Sequence, residues 1–130
     1  MSIEKLVTAV QHLGIPTNDI EATIKFYESL GFQTVLRAVN GAANGKVAFL
    51  RLKNLTIETY QNDQATGKPG AIDHIALDVT DVQQVFDMLS AEKYHLLDKE
   101  VQFLPFWKKG VKFFTILGPN GEKIEFSQML

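Results

Sequence analysis

The chain contains no cysteine, which excludes disulfides and thiolate metal ligands together. Any metal site would have to use His, Asp, Glu, backbone oxygen or water. No apolar run approaches the ~18 residues that a membrane-spanning helix needs. Charge is not concentrated either: 13 basic residues face 15 acidic ones, for a net charge of −2 and no block of one sign. Neither a nucleic-acid footprint nor a polybasic membrane patch is visible, so neither partner is expected. Residues 1–6 lack the basic and apolar regions of a secretory signal, and the expected setting is the cytoplasm. What remains is an ordinary globular composition, 45% apolar and 22% charged, with nine Phe and one Trp in 130 residues. That is one domain's worth of chain.

Within it a pattern occurs twice. A-V-Q-H at residues 9–12 matches A-I-D-H at residues 71–74, an offset of 62 (74 − 12). The register continues into Asp19-Ile20 over Asp81-Val82. Later, Glu58 in L-T-I-E-T-Y matches Glu125 in K-I-E-F-S at an offset of 67 (125 − 58). About five extra residues therefore belong to the second copy, most simply in the loop over residues 102–110. Two copies of this length are a duplicated module rather than a solenoid, which needs three or more units.

Each copy reads β-α-β-β-β. In the first, residues 9–15 alternate as a strand, and Pro16 to Asn18 should break it. Asn18 with Glu21 forms a capping-box-like pattern, Ile20, Ile24, Tyr27 and Leu30 make a helical apolar stripe, and Gly31 ends it. Further strands are expected over residues 32–38, 46–52 and 55–61, with turns at N-G-A-A-N-G (40–45) and Lys53-Asn54. The second copy repeats the order: a strand over 72–79, a cap at Thr80 with Gln83, and a stripe of Val82, Val85, Phe86 and Leu89. A weak strand over 96–100 follows, then a strong one over 111–117, a turn at Gly118 to Gly121, and a last strand over 122–128. The whole is a single domain over 1–130, with module 1 at about 8–62, a polar linker at 63–70 and module 2 at about 71–128.

Strand side chains alternate faces, and each helix must cover the apolar face of its own sheet. Val10, His12 and Gly14 share a face, as do Thr56, Glu58 and Tyr60, His74, Ala76 and Asp78, and Lys123, Glu125 and Ser127. All four of His12, Glu58, His74 and Glu125 thus fall on the uncovered faces. Singly, each would be a solvated strand residue. Jointly, the same residue types recur on the same strands in both copies. Two imidazoles and two carboxylates suit one divalent cation (Zn, Ni, Co, Mn or Fe) with positions left for water or substrate, and they neutralise its charge. Tyr60, Arg51, Lys123, Ser127 and Asp78 either line the cavity or are simply solvated strand residues. Asp73, next to His74, is expected on the opposite face, and His95 on the surface.

These residues resemble the glyoxalase/bleomycin resistance/dioxygenase group, the vicinal oxygen chelate superfamily, over essentially residues 10–128. Further matching pieces are F-Y-x-x-L-G-F (Phe26, Tyr27, Leu30, Gly31, Phe32), D-H-I-A-L (73–77) and G-P-N-G-x-x-I-E (118–125). The resemblance implies an α+β fold in which two tandem βαβββ modules form a half-open mixed β-barrel cup. Glyoxalase I (lactoylglutathione lyase) is the most similar pattern, its ligands matched by His12, Glu58, His74 and Glu125. That likeness implies a metal-dependent lyase or isomerase acting on a hemithioacetal of a 2-oxoaldehyde, or a related vicinal-oxygen substrate, through a metal-stabilised enediolate. Glu125 matches the catalytic base, with Glu58 the symmetric alternative, and a homodimer is the expected assembly.

Departures from that pattern keep other activities open. Residues 13–17 carry no arginine where bacterial glyoxalase I grips the glutathione carboxylate. Gln61 or Asn62 approximates the family's asparagine. The loop over 101–110 is unusually aromatic: Phe103, Phe106 and Trp107 either bind substrate or simply cover a sheet edge, and Lys108 and Lys109 offer a grip for an anion. An acyl-CoA epimerase would use the same enolate chemistry. A dioxygenase is less well matched by a fourth ligand, and a drug-binding resistance protein by an intact ligand quartet.

Overall fold

The computed structural model describes residues 2–40 and 45–130, so most of the turn expected over 40–45 lies outside the described residues. The chain divides into two compact units, residues 1–65 and 66–130.

In the first unit a short 3₁₀ turn (Ile3–Lys5) precedes β1 (Leu13–Thr17), α1 (Ile20–Ser29), β2 (Gln33–Asn40), β3 (Gly45–Leu52) and β4 (Leu55–Gln61). The sheet order is β1-β4-β3-β2, with β1 parallel to β4 and the other pairings antiparallel. Alternation in β3 sends Ala48 and Leu50 to the buried side, Leu50 beside Ile57 of β4, and α1 packs on these strands with Ile20, Ile24 and Tyr27 buried. The strand expected over 9–15 begins only at Leu13 and runs through Pro16, which pairs with Tyr60. Proline is tolerated there because β1 is an edge strand with a single neighbour and needs to offer no second row of N–H groups.

The second unit repeats the plan with β5 (His74–Asp78), α2 (Val82–Ser90), β6 (His95–Leu96), β7 (Gln102–Leu104), β8 (Val111–Leu117) and β9 (Lys123–Met129). Here β5 lies parallel to β9, β9 pairs with β8, and β8 pairs with both β6 and β7. Phe114 anchors the buried side, edge-on to Phe86 of α2 (5.1 Å between ring centres) and stacked on Phe126 (5.2 Å). The single strand β2 of the first unit is thus matched by two short ones. The weak strand expected over 96–100 is only its first part, and β7 lies in what the sequence suggests is loop. In the interruption Leu97 N–H donates to Thr115 O (2.9 Å) and Thr115 N–H to Asp98 Oδ2 (2.8 Å), so the edge of β8 stays satisfied. The extra residues of the second copy are therefore spread between this interruption, the 105–110 loop and the β8–β9 turn.

Both helices start one residue later than the capping patterns suggest. Asp19 and Asp81 are the N-caps, accepting from Ala22 N–H and Gln84 N–H at 3.1 Å each. Their carboxylates also suit the positive end of the helix dipole better than Asn18 or Thr80 would. A second duplicated contact completes each first turn. Ile20 N–H donates to the side chain of Gln61 (3.0 Å), and Val82 N–H to that of Gln128 (2.9 Å). Gln61, one of the two residues that approximate the asparagine of the pattern, is thus engaged with a helix terminus.

The β8–β9 turn packs against the start of the second unit through glycine. Gly121 has φ +83, and a Cβ on it would come 2.1 Å from the carbonyl carbon of Gly67. Gly121→Ala is expected to destabilise the second unit by about 2 kcal/mol, since a side chain there meets both a left-handed backbone and a backbone clash. Chemical denaturation of the variant beside wild type checks this.

Candidate functional site

On the open face of the first sheet, register sets Glu58 between Gly14 of β1 and Phe49 of β3. His12 precedes β1, and its Nε2 lies 3.3 Å from Glu58 Oε1. Its Nδ1 faces Gln11 Oε1 at 3.0 Å, and its ring meets Phe49 edge-on at 5.6 Å. Gly14 leaves room for the Tyr60 ring, which a Cβ would approach to 3.3 Å. A pocket of about 470 Å³ opens beside this pair, walled by Val35, Leu36 and Phe49, with His12, Arg51 and Thr56 also on its lining.

The second unit builds a corresponding pair. His74 is the first residue of β5, and Ala76 pairs with Glu125 of β9. His74 Nε2 stands 3.7 Å from Glu125 Oε1, while Asp73 Oδ2 accepts from Nδ1 at 2.9 Å. Lys123 Nζ donates to the other Asp73 oxygen at 3.2 Å. The hydrogen bond from His74, followed by that from Lys123, holds the Asp73 carboxyl below the usual carboxylate range. Asp73 is therefore not pointed away from His74. It lies just ahead of the strand, where alternation does not govern direction, and it orients the ring. The Gln11-His12 and Asp73-His74 repeat was the available sequence signal for this role.

This arrangement has a chemical implication. An ionised Asp73 can only accept, so the proton of a neutral His74 ring sits on Nδ1. The Nε2 lone pair is then aimed toward a carboxylate oxygen, and two electron-pair donors so placed are stabilised by a cation between or beside them. A hydrogen bond from the remote ring nitrogen to a carboxylate or amide oxygen is also the usual way to fix an imidazole as a metal ligand. The donor chemistry fits a divalent metal. Among the described residues no three His, Asp or Glu side chains are grouped to hold an ion, so the four expected ligands occur as two pairs, His12 with Glu58 and His74 with Glu125. Asp73 does not extend its pair, because it occupies the other end of the imidazole.

The aromatic loop is less committed. Phe103, Phe106 and Trp107 are all exposed, Trp107 at 73% and with φ +65. The Phe103 ring lies across Gly110, where a Cβ would come within 2.4 Å of it, so one of the three serves packing. Lys108 and Lys109 are exposed, and among the described residues neither is ion-paired. His95 begins β6 and is exposed, as expected.

Fold and site together define a protein of paired βαβββ modules, each presenting a His–Glu pair on the open face of its sheet. Residues 11–113 match the family described as Glyoxalase/Bleomycin resistance protein/Dioxygenase superfamily, and the chain belongs to that superfamily. It is 32% identical over 124 residues to the uncharacterized protein YwbC of Bacillus subtilis (strain 168), covering 92% of this chain and 96% of that relative. Among solved structures it is similar to a glyoxalase family protein from Enterococcus faecalis (TM-score 0.78, 22% identity, 94% of this chain and 98% of the other). It is also similar to a glyoxalase I mutant from Zea mays (TM-score 0.74, 19% identity), covering 93% of this chain and 44% of the longer one. These likenesses bear out the α+β, duplicated-module fold expected from the sequence. Among the described residues no helix is long and apolar enough to cross a membrane.

Nitrogen-15 NMR of the imidazoles tests the geometry directly. The neutral ring of His74 is expected as the Nδ1–H tautomer. An Nε2–H tautomer would show that Asp73 does not orient it.

Proposed function

We propose that this protein is a metal-dependent, glyoxalase I-like lyase that isomerises the hemithioacetal of a 2-oxoaldehyde and a thiol to a 2-hydroxyacyl thioester. The observation that supports the reading is the duplicated pair: an imidazole Nε2 beside a carboxylate oxygen in each unit, with the other ring nitrogen held by the preceding residue. His12, Glu58, His74 and Glu125 would hold one divalent cation, of the Zn, Ni, Co, Mn or Fe class. When bound, it supplies Lewis acidity to the vicinal oxygens of the substrate.

The chain's own residues then account for the proton traffic. Glu125 takes the proton from C1 of the hemithioacetal and returns it to C2, while the hydroxyl proton passes between the two substrate oxygens. Carbon–sulfur and carbon–oxygen connectivity is unchanged. Glu125 is preferred to Glu58 because it matches the base of the glyoxalase I pattern. Glu58 is the symmetric candidate. The proposed partners are a small-molecule substrate and a second copy of the chain.

Protein purified without chelators is expected to take up one equivalent of Ni, Co or Zn per chain and to isomerise methylglyoxal hemithioacetals. Glu125→Gln should retain metal while losing about 100-fold or more in kcat. Full turnover by that variant removes Glu125 as the base, and failure of the wild type to bind any divalent metal removes the reading altogether. Asp73→Asn is expected to weaken metal binding by about tenfold or more through loss of ring orientation, measured by calorimetric titration.

A further inference from the structure

Arg51 stands apart from Lys123, the cation on the open face of the second sheet. Lys123 is paired with Asp73, but among the described residues Arg51 has no carboxylate partner. Its Nε–H donates to Thr56 Oγ1 at 3.2 Å, which fixes the guanidinium from its stem side. That contact uses the Nε edge and leaves the two Nη groups, a fork that matches a carboxylate. Arg51 belongs to the lining of the pocket of about 470 Å³ that also includes His12.

The apolar wall of the same pocket is built by an irregularity. The β2–β3 register shifts between Thr34 and Leu36, so Val35 is left unpaired while Leu36 faces Phe49. A regular strand would send these two neighbours to opposite faces, yet both line the pocket. Val35 and Leu36 are each about half exposed, apolar surface that a bound molecule would cover. An uncompensated guanidinium at one point of a small cavity and an aliphatic–aromatic wall at another define an amphiphilic occupant.

We propose that Arg51 is a specificity-determining residue that binds a carboxylate on the substrate, whose apolar body rests on Val35, Leu36 and Phe49. The substrate class is thus an apolar group carrying a carboxylate, presented to His12. The role in turnover rests on the reading of His12 and Glu58 as part of the reactive centre, whereas the binding preference stands on the pocket alone.

The test uses the protein as purified, with metal content measured on the same samples. 3-Phenylpropionate and its neutral amide are titrated into wild type, Arg51→Gln and Arg51→Lys, and binding is followed by the amide NMR shifts of Leu36, Phe49 and His12. Wild type is expected to bind the carboxylate at least tenfold more tightly than the amide. The ratio should fall close to one in Arg51→Gln and be kept in part by Arg51→Lys, with amide affinity unchanged throughout. A wild-type ratio near one, or a ratio that survives in Arg51→Gln, overturns the proposal. Absence of metal or turnover overturns the glyoxalase reading instead and leaves this ratio to be judged by itself.

Discussion

Parallel pairing of the first strand with the last is the constraint from which each unit takes both its fold and its site. A parallel pair cannot be closed by a tight turn, so the helix and the intervening strands must be laid down before β4 or β9 returns beside β1 or β5. The return fixes Gly14 opposite Glu58 and Ala76 opposite Glu125. Each histidine, two residues upstream of that partner, then reaches the glutamate from the strand's beginning. A slip of one residue would send both carboxylates to the helix-covered face. The His–Glu pairing is therefore a product of register, and the same register leaves Ile57 and Ile124 to fill the core.

The sequence shows most clearly those elements whose local pattern and tertiary surroundings agree. β4 and β8 occur over the residues expected of them: β4 is a central strand whose faces alternate apolar and polar, and β8 a central strand that is an almost continuous apolar run. The stripe of Ile20, Ile24 and Tyr27 faces the sheet as its spacing requires. Reading fails where a single strand of pattern is too short to register. β6 has two residues and β7 three, and both are defined by pairing with β8 rather than by composition. Pro16 misleads for the converse reason: a breaker in isolation is acceptable on an edge. In the site, the four candidate ligands are legible because duplication repeats them. Arg51 is legible only as one of several residues that could line a cavity, since its second-copy counterpart by register is Leu117, and nothing in a linear pattern marks an unpaired cation or a bulged neighbour.

The two units are alike in plan and unlike in chemistry. His12 is oriented by a neutral amide and His74 by a carboxylate that also holds Lys123. A carboxylate is a stronger acceptor than an amide oxygen, so the His74 ring is held by the stronger of the two hydrogen bonds. The first unit carries the apolar pocket and the guanidinium instead. Duplication has thus kept the His–Glu pair in both copies, while the features around it differ between them. This division of labour is consistent with a superfamily whose members share a scaffold and differ in chemistry.

The glutamine contacts at the helix starts bear on how such a module comes into being. Gln61 and Gln128 lie at the far end of their modules, yet each side chain completes the opening turn of a helix some forty residues earlier in the chain. During vectorial synthesis the helix is made long before its acceptor emerges from the ribosome. Each half can therefore close only as a complete piece, and a nascent chain cut short of Gln61 or Gln128 holds a helix whose beginning is open to water.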